Sequence, residues 1–363
     1  MASYITNHPA LSPLFFLKRK KNTDFDFKRA EFYPYARNVL YTAFRLMNLS
    51  KKDNILFPSF ICRTAVNPFK ANIKFYNITK ELKTDIEDLK KKIDRNTKAV
   101  LINHYFGFGR DIEKIRRICK NNSLYLIEDC AQSLFSRYKG KLLGSFGDFA
   151  AFSLRKSLPI SEGAALIINN KDFEMPVNNK KVPAVKYNLY RLERIFELLK
   201  KRISFKLGRP YIEFEKKDIK KLKERKLFAD PGFYFKMFSL SRFIFSHSNS
   251  KKIIEQRRKN FSFLLKRFKN SKKIKPIFNE LPADVCPLSF PVLAENRDEN
   301  RKRLWEKGVE TDLHWNKLLP SQLNREKFPD TDYIAKRELS LPVHQDLKEK
   351  HMEYIADTVD KVI

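Results

Sequence analysis

The stretch "LIEDCAQSLFSRYKGKLLGSFGDFAAFSLRKSLPISEGAAL" (126–166) holds three short apolar runs, each interrupted by residues that carry chemistry. "LYLIE" leads into Asp129 and Gln132, "FAAFSL" (149–154) leads into Lys156, and "GAALIIN" (163–169) follows a carboxylate and begins on a glycine. Runs apolar on both faces mark strands covered on both sides. Upstream, "NILFPSF" (54–60), "IKFYNI" (73–78) and "AVLINHYFG" (99–107) repeat the pattern. Between them lie helix-like segments: "VLYTAFRLMNL" (39–49), "DIEDLKKKI" (85–93), acidic in its first turn, and "DIEKIRRICKNN" (111–122). Strands alternating with helices predict an α/β fold with a mostly parallel central sheet flanked by helices. His104, Asp129, Gln132, Ser153 and Lys156 fall at or just past strand C-terminal ends, the edge where open α/β sheets bind ligands.

Beyond residue 170 the character changes. "YNLYRLERIFELLKKRISFKLG" (187–208) and "FYFKMFSLSRFIF" (233–245) are basic, aromatic and helical in spacing. Such helices suit packing on the sheet or on a second subunit, and also a membrane surface. "SHSNS" (246–250) reads as a hinge, followed by alternating helices and strands to the end of the chain. The expected division is a large α/β domain over 1–248, with the basic aromatic segment at 175–248, and a smaller C-terminal α+β domain over 249–363.

The chain has 363 residues, 42% of them apolar, enough for a large core. The net charge of +32 has two readings, an anionic partner or a lysine-rich solvated surface. Because Lys is scattered along nearly the whole chain, no specific nucleic-acid partner is expected. Cys62, Cys119, Cys130 and Cys286 are far apart and form no CxxC pair, which argues against zinc or disulfides and for a reducing compartment. The N-terminal basic cluster follows a short apolar patch, the wrong order for a secretory signal, and no apolar run approaches the roughly 20 residues of a membrane span. A cytoplasmic protein without a transmembrane segment is the expectation. The six histidines have no metal-ligand spacing, and nine glycines include no nucleotide-binding loop.

A carboxylate at the apolar strand end of Asp129 needs a cationic or N–H partner, which a helix cap or an ordinary salt bridge also supplies. Lys156 follows Arg155 directly; desolvation beside a second cation lowers an amine's pKa and makes it a nucleophile toward aldehydes, although most loop lysines are simply solvated. Ser153 and the small residues near it can receive a phosphate. An amine for an aldehyde, an acid for a pyridinium nitrogen and donors for a phosphate are what pyridoxal phosphate requires.

The ordered combination "IEDCAQ…GSFGDFAAFS…K…EGAA" resembles the DegT/DnrJ/EryC1/StrS family of sugar aminotransferases, with fold type I of the pyridoxal-phosphate enzymes. The resemblance runs from "FYPYARNVLYTAF" to "SLPVHQDLKEKHMEYI". It implies that Lys156 binds the cofactor covalently and shuttles a proton, that Asp129 pairs with the ring nitrogen and that Gln132 meets the ring hydroxyl. It also implies that Ser153, Arg37 and Asn38 hold the phosphate, with Phe60 on the ring face and His104 on the site wall. His314 and His344, in the C-terminal domain, are candidates for the substrate pocket or for structural roles. The implied substrates are an amino donor such as glutamate and a nucleotide-linked keto-sugar, in surface polysaccharide or amino-sugar biosynthesis, with the enzyme a homodimer. Three departures leave room for a weakly active or inactive relative that binds cofactor or sugar nucleotide without turnover. Ser153 and Lys156 are only three residues apart, Gly163-Ala164 replaces a double glycine, and the family's asparagine-arginine motif is not recognisable in 200–245.

Overall fold

A computed structural model describes residues 4–13, 15, 27, 30–67, 69, 72–176, 185–208, 235–315 and 319–363. Its centre is a seven-stranded sheet built from β1 (Glu31–Tyr33), β2 (Asn54–Pro58), β3 (Asn72–Tyr76), β4 (Thr97–Asn103), β5 (Tyr125–Cys130), β8 (Phe149–Ser153) and β9 (Ala164–Ile168). A separate hairpin, β6 (Arg137–Tyr138) and β7 (Lys141–Leu142), lies between β5 and β8 in the chain. The spatial order is β1-β9-β8-β5-β4-β2-β3. The five strands from β8 to β3 are parallel; β9 runs antiparallel to β8, and β1 antiparallel to β9. β2 and β8 are buried along their whole length, as their unbroken apolar runs require. After β2 the chain steps outward to β3 and then back to β4 on β2's other side, so the sheet has its switch point at the β2/β4 edge.

Helices α1 (Ala36–Leu46), α2 (Arg63–Val66), α3 (Ile86–Lys92) and α4 (Ile112–Asn121) connect these strands. α3 starts where its sequence says it should: Asp85 accepts from the Asp88 N–H at 3.0 Å, and Glu87 and Asp88 complement the helix dipole. The antiparallel entry into β9 turns on Gly163, with φ +151°, where a Cβ would meet Met237 Cε at 2.6 Å. Glycine is therefore required here.

α5 (Val185–Leu207) is the long basic helix anticipated at 187–208. Its inner face is pinned by a buried ion pair, Arg191 Nη2 to Glu162 Oε1 at 2.6 Å. Its outer face is apolar: Leu189, Leu192, Phe196, Ile203 and Leu207 are all exposed and, at 100° per residue, fall on one narrow stripe. Most of the expected asparagine-arginine motif region, 209–234, and the start of the 233–245 segment lie outside the described residues.

The C-terminal portion contains α6 (Ser239–His247), α7 (Ser250–Phe268), α8 (Arg297–Glu306), α9 (Pro329–Arg337), α10 (Glu349–Val362) and an antiparallel sheet of β10 (Ile274–Pro276), β11 (Phe290–Ala294) and β12 (Glu338–Leu341). The N-terminal arm packs on this portion. Ile5 bridges Val309, the Asn7 N–H donates to Glu310 at 3.1 Å, and the Ala10 N–H donates to Asp346 at 2.9 Å. No helix among the described residues is long and apolar enough to cross a membrane.

Candidate functional site

Strand register sets the site. β4, β5 and β8 end level with one another, pairing Asn103 with Asp129 and Asp129 with Ala151, and Ser153 closes β8 opposite Ala164. One helical turn later comes Lys156, at the end of a short 3-10 segment (Leu154–Lys156). The next residue is held from the C-terminal portion. Arg257, buried on α7, and Gln345 both donate to the Ser157 carbonyl, at 3.2 and 3.0 Å, and the Arg257 guanidinium also donates to Gln345 and to the carbonyls of Pro287 and Leu288. Nothing in the spacing of Arg257 pointed to this, because its partners lie 30 to 100 residues away.

The Lys156 amine is pushed below the ordinary lysine range, first by burial and then by Arg155, against the attraction of Asp129, Cys62 and Asp312. Asp129 is pushed above the usual carboxylate range by burial, opposed by Lys156, the Ala131 N–H and His104. Its Oδ1 accepts from that N–H at 2.9 Å. In both groups burial outweighs the mutual attraction.

Around them the predicted residues divide. Phe60 is fully buried, its ring 5.1 Å from Trp315 and 5.7 Å from Tyr105, while the Lys156 Nζ stands 5.9 Å from the Trp315 ring centre. Gln132 Oε1 accepts from the Phe106 N–H at 2.8 Å, and its Nε2 is buried without a partner. Asn38 turns its side chain back to accept from the Tyr35 N–H at 3.2 Å, capping α1, while the Arg37 guanidinium lies 4.5 Å from the Tyr35 ring. Arg155 approaches the same ring at 6.0 Å, so two cations flank the start of α1. His104 lies beside Asp129 in the electrostatic sense, but its Nε2–H donates to Glu128 at 2.8 Å. His104, Glu128 and Cys130 converge within 4.8 Å. Glu128, however, also accepts three backbone N–H groups, and burial pushes the Cys130 thiol well up, so His104 and Glu128 form a hydrogen-bonded knot with the thiol beside it.

His314 and His344 separate. His314 lines a cavity of about 260 Å³ together with Lys156, Arg155, Asp312 and Trp315. His344 is buried elsewhere, its Nε2–H donating to the Thr6 carbonyl at 2.8 Å, and burial with Arg257 nearby holds its ring far below the usual histidine range. It ties down the N-terminal arm. The same cavity takes in His8 from that arm and Arg194 and Lys201 from α5, none of which the sequence marked. His8 Nε2 lies 3.3 Å from Asp312 Oδ2. Burial raises the Asp312 carboxyl, but His8, His314, Asn7 and Lys201 together outweigh it and hold it low.

These donors fit pyridoxal phosphate. A buried carboxylate with a single backbone donor suits a ring N–H, an orphaned amide N–H suits a ring oxygen, and a desolvated amine suits an aldehyde. Cations at a helix start beside the Ser153 strand end suit a phosphate.

An open α/β sheet with a half-buried lysine and a buried acid at the C-terminal edge of its parallel strands is the frame of a large class of such transferase folds. Within it, the chain belongs to the DegT/DnrJ/EryC1/StrS aminotransferase family, whose model matches residues 38–360. The GDP-perosamine synthase of Vibrio cholerae is 34% identical over 139 residues, 37% of this chain and 38% of that protein. The chain thus matches well under half the length of that relative. The UDP-4-amino-4,6-dideoxy-N-acetyl-beta-L-altrosamine transaminase of Campylobacter jejuni is 23% identical over 354 residues, covering 90% of this chain and 84% of the other. In fold the chain is similar to Helicobacter pylori PseC, an aminotransferase involved in the biosynthesis of pseudoaminic acid, with a TM-score of 0.71 at 19% identity over 99% of both chains.

Proposed function

We propose that this protein is a pyridoxal-phosphate-dependent aminotransferase that moves an amino group, from glutamate, onto a keto-sugar carried by a nucleotide, in the assembly of surface polysaccharide or other amino sugars. The observation that carries the reading is the meeting of the half-buried Lys156 with the buried Asp129 at the sheet's ligand edge. When bound, pyridoxal phosphate supplies an electron sink that lets the amino group pass between two carbon centres. The rest falls to the chain. Lys156 would hold the cofactor and, when its amine is free, would carry the proton at its Nζ. Asp129 keeps the ring nitrogen protonated, and Gln132 donates its orphaned Nε2–H to the ring hydroxyl. Ser153, Arg37, Asn38 and the first N–H groups of α1 take the phosphate. Phe60 covers the ring face, His104 backs Asp129, and His314 faces the substrate.

A relative without turnover is the second reading, favoured by the short Ser153–Lys156 interval. The two separate in one assay. Glutamate added to cofactor-loaded protein is expected to bleach the visible band and yield 2-oxoglutarate; cofactor binding with no response to glutamate establishes the second reading.

We assign the large domain to residues 1–248 and the small domain to 249–363, with the arm of residues 4–10 crossing onto the small one. Free thiols at all four cysteines suit a cytoplasmic setting. A homodimer is part of the reading, and the apolar stripe on α5 is its candidate face. The exposed residues follow one another at intervals of three, four, seven and four, so two copies of the helix set antiparallel bury apolar against apolar along their length. Phe196→Asp is expected to shift the protein from dimer to monomer in sedimentation velocity. A wild type that sediments as a monomer, or a variant that remains a dimer, removes the stripe from the interface.

A further inference from the structure

Arg257, on α7, is 1% exposed and has no ion-pair partner among the described residues. A buried guanidinium held by neutral groups alone is costly, and packing by itself does not call for one. Asp346 attracts it, but that carboxylate accepts from the Ala10 N–H and pairs with Arg202. Arg257 instead makes four hydrogen bonds to three other segments. Nε donates to Gln345 Oε1 at 2.9 Å, Nη1 to the carbonyls of Pro287 and Leu288 at 3.1 and 2.9 Å, and Nη2 to the Ser157 carbonyl at 3.2 Å.

These bonds lead to two residues of the candidate site by separate routes. The first is short: Ser157 follows Lys156 directly, and Gln345 Nε2 donates to the same Ser157 carbonyl at 3.0 Å. The second runs through backbone. The Leu288 N–H donates to the Phe106 carbonyl at 2.9 Å, and the Phe106 N–H donates to Gln132 Oε1 at 2.8 Å. The two backbone segments are pressed together, since a Cβ on Gly107 would stand 2.5 Å from the Cys286 carbonyl oxygen. With its Oε1 taken in this way, Gln132 keeps its Nε2–H for another partner.

We propose that Arg257 is a positioning residue that sets Lys156 and Gln132 relative to each other. One guanidinium fixes the backbone after the lysine and, through Leu288 and Phe106, the amide orientation of the glutamine. It lines the Lys156 cavity, yet most of its N–H groups are engaged by protein oxygens, so it acts as a post in the wall. The planar fork matters as much as the charge, because a lysine ammonium cannot reach these separated acceptors in one rigid plane. The inference rests on the aminotransferase reading given above and adds to it the residue that holds two of its groups in register.

Two variants of the full chain test it. Before any cofactor is added, Arg257→Lys is expected to speed hydrogen exchange in peptides covering both 104–108 and 154–160. On mixing with pyridoxal phosphate, the same variant is expected to develop its visible band roughly 10–100-fold more slowly. The pH midpoint of capture reflects the burial of Lys156 among Asp129, Cys62, Asp312 and Arg155, and it is expected to move up as the loosened loop admits water. Gln345→Leu removes one donor to Ser157 and no charge, so slower capture and a raised midpoint of smaller size are expected. Thermal melts accompany both variants, and where Arg257→Lys fails to fold, Gln345→Leu decides. A folded variant with the wild-type rate and midpoint overturns the proposal. So does exchange that rises in Arg257→Lys at 154–160 alone, because the tie to Gln132 is then missing. A normal wild-type band with unaltered variants removes only the role of Arg257. A wild type that develops no band removes the aminotransferase reading itself, and this inference with it.

Discussion

Lys156→Ala is expected to abolish the visible absorption band that the wild-type protein develops with pyridoxal phosphate, and to lower transamination by roughly 10³-fold or more. The size of the effect follows from the two tasks assigned to one amine, covalent capture of the cofactor and proton transfer. Lys156→Arg is expected to fail equally, since a guanidinium stays protonated and cannot condense with an aldehyde. The wild type carries a pH signature as well. An amine attacks only when neutral, and the neutral fraction grows as pH rises through its pKa. Burial and Arg155 lower that pKa, so capture should reach its plateau at lower pH than for a lysine titrating near 10.4. Stopped-flow absorbance across pH measures the midpoint. A wild type whose midpoint matches free lysine, or a Lys156→Ala protein that keeps the band, would place the reactive amine elsewhere.

The parts legible in the sequence are those in which local pattern and tertiary environment agree. "LYLIEDC" had to be a buried strand, and a buried strand in an α/β chain delivers its last polar residue to the ligand edge; Asp129 and Lys156 followed from that reasoning. The basic helix after residue 185 was equally plain from its periodicity. What stayed hidden depends on contacts distant in sequence. His8 reaches Asp312 from an arm whose length and charge resemble any N-terminus. Arg257 reads as one more cation on a basic helix until its guanidinium is found buried against Ser157. His344 was a candidate for the pocket or for a structural role as a histidine of the C-terminal domain, and its partner is Thr6, 338 residues away. Period-two alternation could have separated two neighbours. If Asp129 faces the site, Glu128 points to the opposite face of β5 and needs a different explanation.

That explanation yields the second large effect, one on stability. Glu128 is fully buried, and its two oxygens accept four hydrogen bonds. Oε2 takes His104 Nε2–H and the Gly144 N–H at 2.8 Å each, and Oε1 takes the N–H groups of Phe146 and Gly147 at 2.7 and 2.6 Å. One carboxylate thereby shapes the loop before β8 and fixes the His104 ring. Glu128→Gln keeps the volume but turns one acceptor into a donor that faces two existing donors. Each buried donor left unpaired costs about 1–3 kcal/mol, so the total should be about 3 kcal/mol, read as a lower urea midpoint at unchanged m-value. Glu128→Asp keeps the charge but withdraws it by one methylene, and an intermediate loss is expected. Because the backbone N–H of His104 donates to the Asp129 carbonyl at 3.2 Å, a shift of His104 on losing its ring partner is transmitted to the strand end that presents Asp129. The variant should therefore bind pyridoxal phosphate more weakly even where it remains folded. Urea melts followed by circular dichroism, with a cofactor titration below the transition, test both effects. Identical melts for Glu128→Gln and wild type would mean that the four bonds are not what holds this loop. A destabilised variant with unaltered cofactor affinity would confine the role of Glu128 to the loop and detach it from the site.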